Sequence, residues 1–149
     1  MPLVDSFMED ERVHRQNLAD AINTIADARF VGTFTRDQAT ASGDQVITGV
    51  GFRCKAIIVL ASESATSEMS IGFSDMRPTS NLDEALRDEH NSAANDYSIV
   101  GNALIYMYES GTNQYSGVIS GFSGDGFTIT WTRTGTPTGT ITAAFLALG

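Results

Sequence analysis

The sequence predicts a mainly β protein, an antiparallel β-sandwich preceded by an N-terminal α-helix, and three observations carry that reading. Threonine occupies every even position from Thr128 to Thr142, eight times in succession. Strand side chains alternate between two faces, so an unbroken period of two fits a strand and excludes a helix. The odd positions bring Ile129, Trp131 and Ile141, which gives one hydroxylated face and one large apolar face. From Phe30 onward, short apolar or alternating runs are divided by Gly-, Asn-, Asp- and Ser-rich turn signals at sandwich spacing. Gly135, Pro137 and Gly139 interrupt the threonine run, and a hairpin turn is expected there.

Taken in order, residues 1–30 hold the one long helical pattern. Asp5 or Ser6 is placed to cap it, and Glu9 stands three after Ser6, as in a capping box. Leu18, Ala21, Ile22, Ile25 and Ala28 follow three-four spacing and share a stripe. Glu11, Arg12, His14 and Arg15 make the middle turns polar, which interrupts any coiled-coil seam. Such a helix can pack on its own sandwich, bundle with copies of itself or dock on a partner. The division expected is a helix for attachment or oligomerisation at 1–30 and a sandwich domain at 31–149.

The strands follow. Phe30 to Arg36 reads as the first, then DQATASGDQ as a polar loop, then Val46 to Gly51. Ala56 to Ala61 is continuously apolar, which predicts a central strand buried on both faces. MSIGF, Met69 to Phe73, alternates around a glycine that signals close backbone approach. Residues 74–97 carry six acids and read as a long edge loop, with SNLDEALRDEH able to form a two-turn helix. Strands resume at Ser98 to Glu109, Tyr115 to Phe122, Gly126 to Arg133 and Thr140 to Leu148, with turns at ESGTNQ and SGDG. The last strand is apolar on both faces.

Composition removes several function classes. The chain has 149 residues, nine Lys plus Arg against eighteen Asp plus Glu, and Lys55 as its sole lysine. A formal charge of -9 disfavours nucleic acid, whose phosphates demand clustered cations. One cysteine, Cys54, excludes a disulfide framework and a Cys-based zinc cluster, and reads as a small apolar core residue. No segment approaches the ~20 apolar residues of a membrane span. MPLVDSFMEDER lacks the basic start of a secretory signal, so synthesis in a cytoplasm is expected.

Catalysis needs a positioned nucleophile, base or metal, and no motif supplies one. His14 lies in the polar part of the helix and His90 in the acidic stretch, each outside any recognisable pattern. GFSGDGF lies between two strands and reads as a turn. Asp83, Glu84, Asp88 and Glu89 lack the converging oxygens and turn glycine of a calcium loop, so they read as a solvated face. No catalytic residue, metal ligand or cofactor is therefore assigned. Tyr106, Tyr108, Tyr115 and Trp131 are candidates for stacking on sugars, against the ordinary role of strand aromatics in cross-strand packing.

The segments GFRCKAIIVLAS, MSIGFSD and GFSGDGFTITWTRTGTPTGTITAAFLALG resemble a β-domain of tailed-bacteriophage structural proteins, over Val46 to Leu148. Those domains show a GF-x-P-K-type strand, and Cys54 stands where their proline is expected. The closing pattern is also similar to H-type lectin domains, small sandwiches that assemble as trimers. Together the resemblances imply a non-enzymatic virion protein made in the bacterial host cytoplasm, a capsid decoration, cement or spike protein or a tail-fibre component. They imply a homotrimer whose partners are itself and the major capsid or tail protein, without nucleic acid or membrane. On this reading Leu18, Ala21, Ile22 and Ile25 bind the partner, and Tyr106, Tyr108 and Trp131 are the glycan candidates of the alternative, a host-glycan-binding module.

Overall fold

The computed structural model describes residues 2–26, 28–64, 68–75, 83–91 and 94–149; side chains at 2–7, 22–26, 88–91 and 94–97 lie outside that description. Helix α1 (Pro2–Ala26) is followed by ten strands: β1 (Arg29–Asp37), β2 (Gly43–Thr48), β3 (Ala56–Glu63), β4 (Met69–Ser74), β5 (Asp83–Asn91), β6 (Ala94–Gly101), β7 (Ile105–Ser110), β8 (Asn113–Ser123), β9 (Gly126–Thr134) and β10 (Thr140–Leu148). All pairings are antiparallel. One sheet has six strands in the order β1-β10-β3-β4-β5-β6, the other four in the order β2-β9-β8-β7. The mainly β sandwich with an N-terminal helix is the fold that the alternation predicts.

The core lies between the sheets. Ile57, Val59, Ala143 and Phe145 face it from the six-stranded sheet, and Tyr115, Phe127, Ile129 and Trp131 from the other. Phe127 meets Phe145 edge-on at 5.3 Å and 89°, and Tyr115 stacks on Trp131 at 5.3 Å. Each fully buried large side chain contributes roughly 1.5–3 kcal/mol, so this layer supplies most of the drive to close the sandwich. Its polar tips are satisfied at the margin: the Trp131 indole N–H donates to Gln45 Oε1 at 3.0 Å, and Arg36 Nε donates to the Tyr115 hydroxyl at 2.8 Å. Gly72 shows why β4 needs a glycine. A Cβ there would stand 1.7 Å from the Leu104 carbonyl oxygen, so the sheets approach too closely for any side chain.

Several expectations change. The threonine run does not fold as a hairpin: β9 belongs to the four-stranded sheet and β10 to the six-stranded one. Buried Pro137, between Gly135 (φ 69°) and Gly139 (φ 93°), carries the chain across the sandwich instead of back along one sheet. The arch is held by Glu109, which accepts from the Thr138 N–H at 3.0 Å and hydroxyl at 2.9 Å. The period of two is kept throughout, because Ile129, Trp131 and Ile141 all point into the same core from opposite sides.

The stretch expected as loop or short helix at 74–97 contains β5 and the start of β6. Pairing with β4 overrides the helix propensity of DEALRDE, and Asp83 and Ala85 turn inward while Leu86 turns outward. Residues 76–82 and 92–93 lie outside the described residues. Ser98 to Glu109 is two strands in different sheets, split at Asn102, which takes a left-handed φ of 59°. The helix begins at Pro2, upstream of the capping box at Ser6, because proline suits the first helical position. It ends at Ala26, so Ala28 is no part of its stripe.

Candidate functional site

Helix α1 stands away from the core. Every described side chain from Met8 to Ala21 is exposed, Leu18 among them, so this stretch is not packed against the sandwich. Arg15 pairs with Glu11 at 2.8 Å and Arg12 with Glu9, each one turn apart and solvated. Leu18 and Ala21 therefore present an open apolar stripe, while the side chains of Ile22 and Ile25 lie outside the description. His14 is exposed on the same helix, and His90 falls on β5 with its side chain likewise outside the description. Among the described residues no group of three or more His, Cys, Asp or Glu is placed to hold a metal ion, and no helix is long and apolar enough to cross a membrane.

The three glycan candidates separate. Trp131 is fully enclosed, with Tyr115 on one side and the Arg36 guanidinium 5.8 Å from its ring centroid, so it offers no face to a sugar. Tyr115 is buried with it. Tyr106 and Tyr108 are half-buried on β7, the edge strand of the four-stranded sheet. The Arg87 guanidinium reaches them from β5, 5.5 Å and 4.9 Å from their ring centroids. The Tyr106 hydroxyl donates to Gln114, and that of Tyr108 to the Gly111 carbonyl at 2.9 Å. The edge of β7 is itself covered: Ser70 Oγ accepts from the Tyr106 N–H at 3.3 Å and Glu68 Oε2 from the Tyr108 N–H at 2.6 Å. Side chains from the facing sheet thereby block strand addition there.

A further surface feature follows from the pairing of the strands, which local alternation does not encode. The outer face of the six-stranded sheet is apolar. Register aligns Val31, Leu146, Ile58 and Phe73 in one row across β1, β10, β3 and β4. The next row runs Ala144, Leu60, Ile71, Leu86 and Ile99 across β10, β3, β4, β5 and β6. Met69 lies in a third row, which runs through Ser62, Thr142 and Thr35 on one side and through Asp88 and Tyr97 on the other. Exposure runs from 42% at Ile71 to 76% at Ile99 along the second row's large residues. The expectation that β3 is buried on both faces is thus corrected: it is central, but Ile58 and Leu60 face outward. The same holds for β10, whose even positions lie outward and odd positions inward.

At ~150 Å² for a bare large apolar side chain, the low end of the aromatic range, these residues with Met69 and Leu148 leave on the order of 700 Å² uncovered. The largest apolar patch on a typical monomer is about 300–600 Å². Charge enters at the margins of the two apolar rows: Glu84 beside Phe73, Asp88 opposite Met69 in the third row, and Arg29 opposite Leu148. An apolar centre with a polar rim is the anatomy of a protein interface.

No protein-family model matches the chain, and no curated protein matches it. One solved structure similar to it is the crystal structure of a tailspike protein gp49 from Acinetobacter baumannii bacteriophage Fri1, a capsular polysaccharide depolymerase. The identity is 8% and the TM-score 0.33, over 80% of this chain and 17% of that one, a likeness that assigns neither fold family nor function.

Proposed function

We propose that this is a non-enzymatic structural protein of a phage virion, a capsid decoration (cement or spike) protein that assembles as a symmetric oligomer. The phage setting comes from the segments GFRCKAIIVLAS, MSIGFSD and GFSGDGFTITWT and their likeness to phage β-domains. The observation that supports the attachment role is α1, 25 residues long with every described side chain from Met8 to Ala21 exposed. Helices are held in proteins chiefly by packing an apolar face, and this one leaves Leu18 and Ala21 open. It docks on a capsid or tail protein through Leu18, Ala21, Ile22 and Ile25 and holds the sandwich outward. Each large residue buried there contributes roughly 1.5–3 kcal/mol.

Leu18→Ser, Ile22→Ser and Ile25→Ser together test this, with particles and protein mixed and bound protein measured after sedimentation. Loss of decoration with the sandwich still folded is expected. Normal decoration by the triple variant overturns the helix assignment.

A second reading, a tail-fibre or carbohydrate-binding module for host surface glycans, is favoured by the Tyr106–Arg87–Tyr108 cluster. Two half-buried rings with a guanidinium across them pair a stacking surface with a donor set. It requires saccharide-specific binding that is lost on Tyr108→Ala, and a blank glycan array for the folded oligomer removes it.

A further inference from the structure

We infer that the apolar outer face of the six-stranded sheet is the interface between copies of this chain. The inference rests on the reading of the protein as a self-assembling structural component, and it places that assembly in the sandwich while leaving the helix free. Area is the first ground. On the order of 700 Å² of exposed apolar surface on one molecule compares with about 800 Å² per partner in a stable interface.

Chemistry identifies the occupant. The two apolar rows hold one charged group, Glu84, on a chain of net charge -9. A face that bears almost no charge gives a charged partner nothing to read, whereas two copies of it can meet without burying unpaired ions. The described side chains of α1 from Met8 to Ala21 are exposed, so that stretch of the chain's own helix does not cover the face. The other surfaces that offer themselves are less suited. The outer face of the four-stranded sheet intersperses Val46, Val118 and the Tyr106 and Tyr108 rings with Asp44 and the hydroxyls of Thr128, Thr130, Thr132 and Ser116, which prefer water. A closed symmetric oligomer matches like with like and satisfies every copy at once.

The face also spans all six strands, so its margins reach the two open edges, β1 at Val31 and β6 at Ile99. Those two residues are the most exposed of the set, at 73% and 76%. Apolar side chains at exposed edges invite pairing with whatever comes near, and a partner copy laid over the face shelters both margins.

The test is the solution mass of the full-length protein by multi-angle light scattering, for the wild type and for the double variant Leu60→Glu, Ile71→Glu. Both residues point outward from the middle of the face, so the variant keeps its core. Blue-shifted emission from Trp131, the single tryptophan, reports that directly. The wild type is expected at two or three times the 15.9 kDa chain mass and the double variant at one. A monomeric wild type, or a double variant with wild-type mass, overturns the inference. The helix variant Leu18→Ser, Ile22→Ser, Ile25→Ser is expected to keep the oligomer mass even where it no longer decorates particles. Its collapse to monomer would transfer assembly to the helix and overturn the inference.

Discussion

The two sheets present nearly the same inner surface and opposite outer ones. Inward, each contributes large apolar residues on alternate positions: Ile57, Val59 and Phe145 from one, Phe127, Ile129 and Trp131 from the other. Outward, the four-stranded sheet shows Thr128, Thr130 and Thr132, with the Thr130 hydroxyl hydrogen-bonded to Ser120 at 2.6 Å. The six-stranded sheet shows Ile58, Leu60, Ile71 and Phe73. Strand geometry is common to both, so alternation alone does not decide what an outer face meets. Side-chain chemistry does. Threonine keeps β geometry while remaining at ease in water, and isoleucine or leucine in the same geometry leaves a surface that gains by being covered.

Substitutions can break that comparison at successive depths. Trp131→Ala removes the ring stacked on Tyr115 beneath both faces, and a loss of about 3–5 kcal/mol in urea unfolding is expected. Gly72→Ala forces a Cβ against the Leu104 backbone, where no flexible side chain can yield. A cost of about 3 kcal/mol is expected by the same measurement, with Ile71 and Phe73 displaced on the strand that carries them. Glu109→Ala frees the arch that takes the chain from one sheet to the other. About 1 kcal/mol is expected from the loss of its two bonds to Thr138.

The smallest effects separate the faces most cleanly. Thr132→Val on the hydroxyl face is expected to change stability by no more than about 0.5 kcal/mol and to leave the solution mass untouched. Leu60→Thr on the apolar face is equally mild for the monomer fold but is expected to shift association to higher protein concentration in a dilution series by light scattering.

How much of this was legible in the sequence depended on which signal a segment carried. The threonine run gave strand identity and core parity together, since Ile129, Trp131 and Ile141 are all buried. It could not tell a hairpin from a crossing between sheets, because both keep the same parity and both need glycines at the bend. The glycine of MSIGF announced close approach correctly. Ala56 to Ala61 misled for a physical reason: a strand apolar on both faces reads the same whether its second face meets its own protein or another molecule. That ambiguity hid the apolar outer face of the six-stranded sheet. DEALRDE misled because local helix propensity was outweighed by pairing with β4, which no local pattern encodes. Of the glycan candidates, Trp131 was apolar enough to be core and proved so. The standing of Tyr106 and Tyr108 depends on Arg87, some twenty positions earlier, brought beside them only by the fold.

The sharpest single measurement is the rate of thiol labelling at Ile71→Cys and, separately, at Thr132→Cys, in the full-length protein at increasing concentration. The native Cys54 does not interfere, since it is buried and burial pushes its thiol pKa up, away from the reactive thiolate. Both introduced thiols lie on outward faces, one on each sheet. If copies meet through the six-stranded sheet, the thiol at 71 slows as concentration rises and recovers on dilution, while the thiol at 132 labels at one rate throughout. Labelling at 71 that stays as fast as at 132 at every concentration would contradict a covered face.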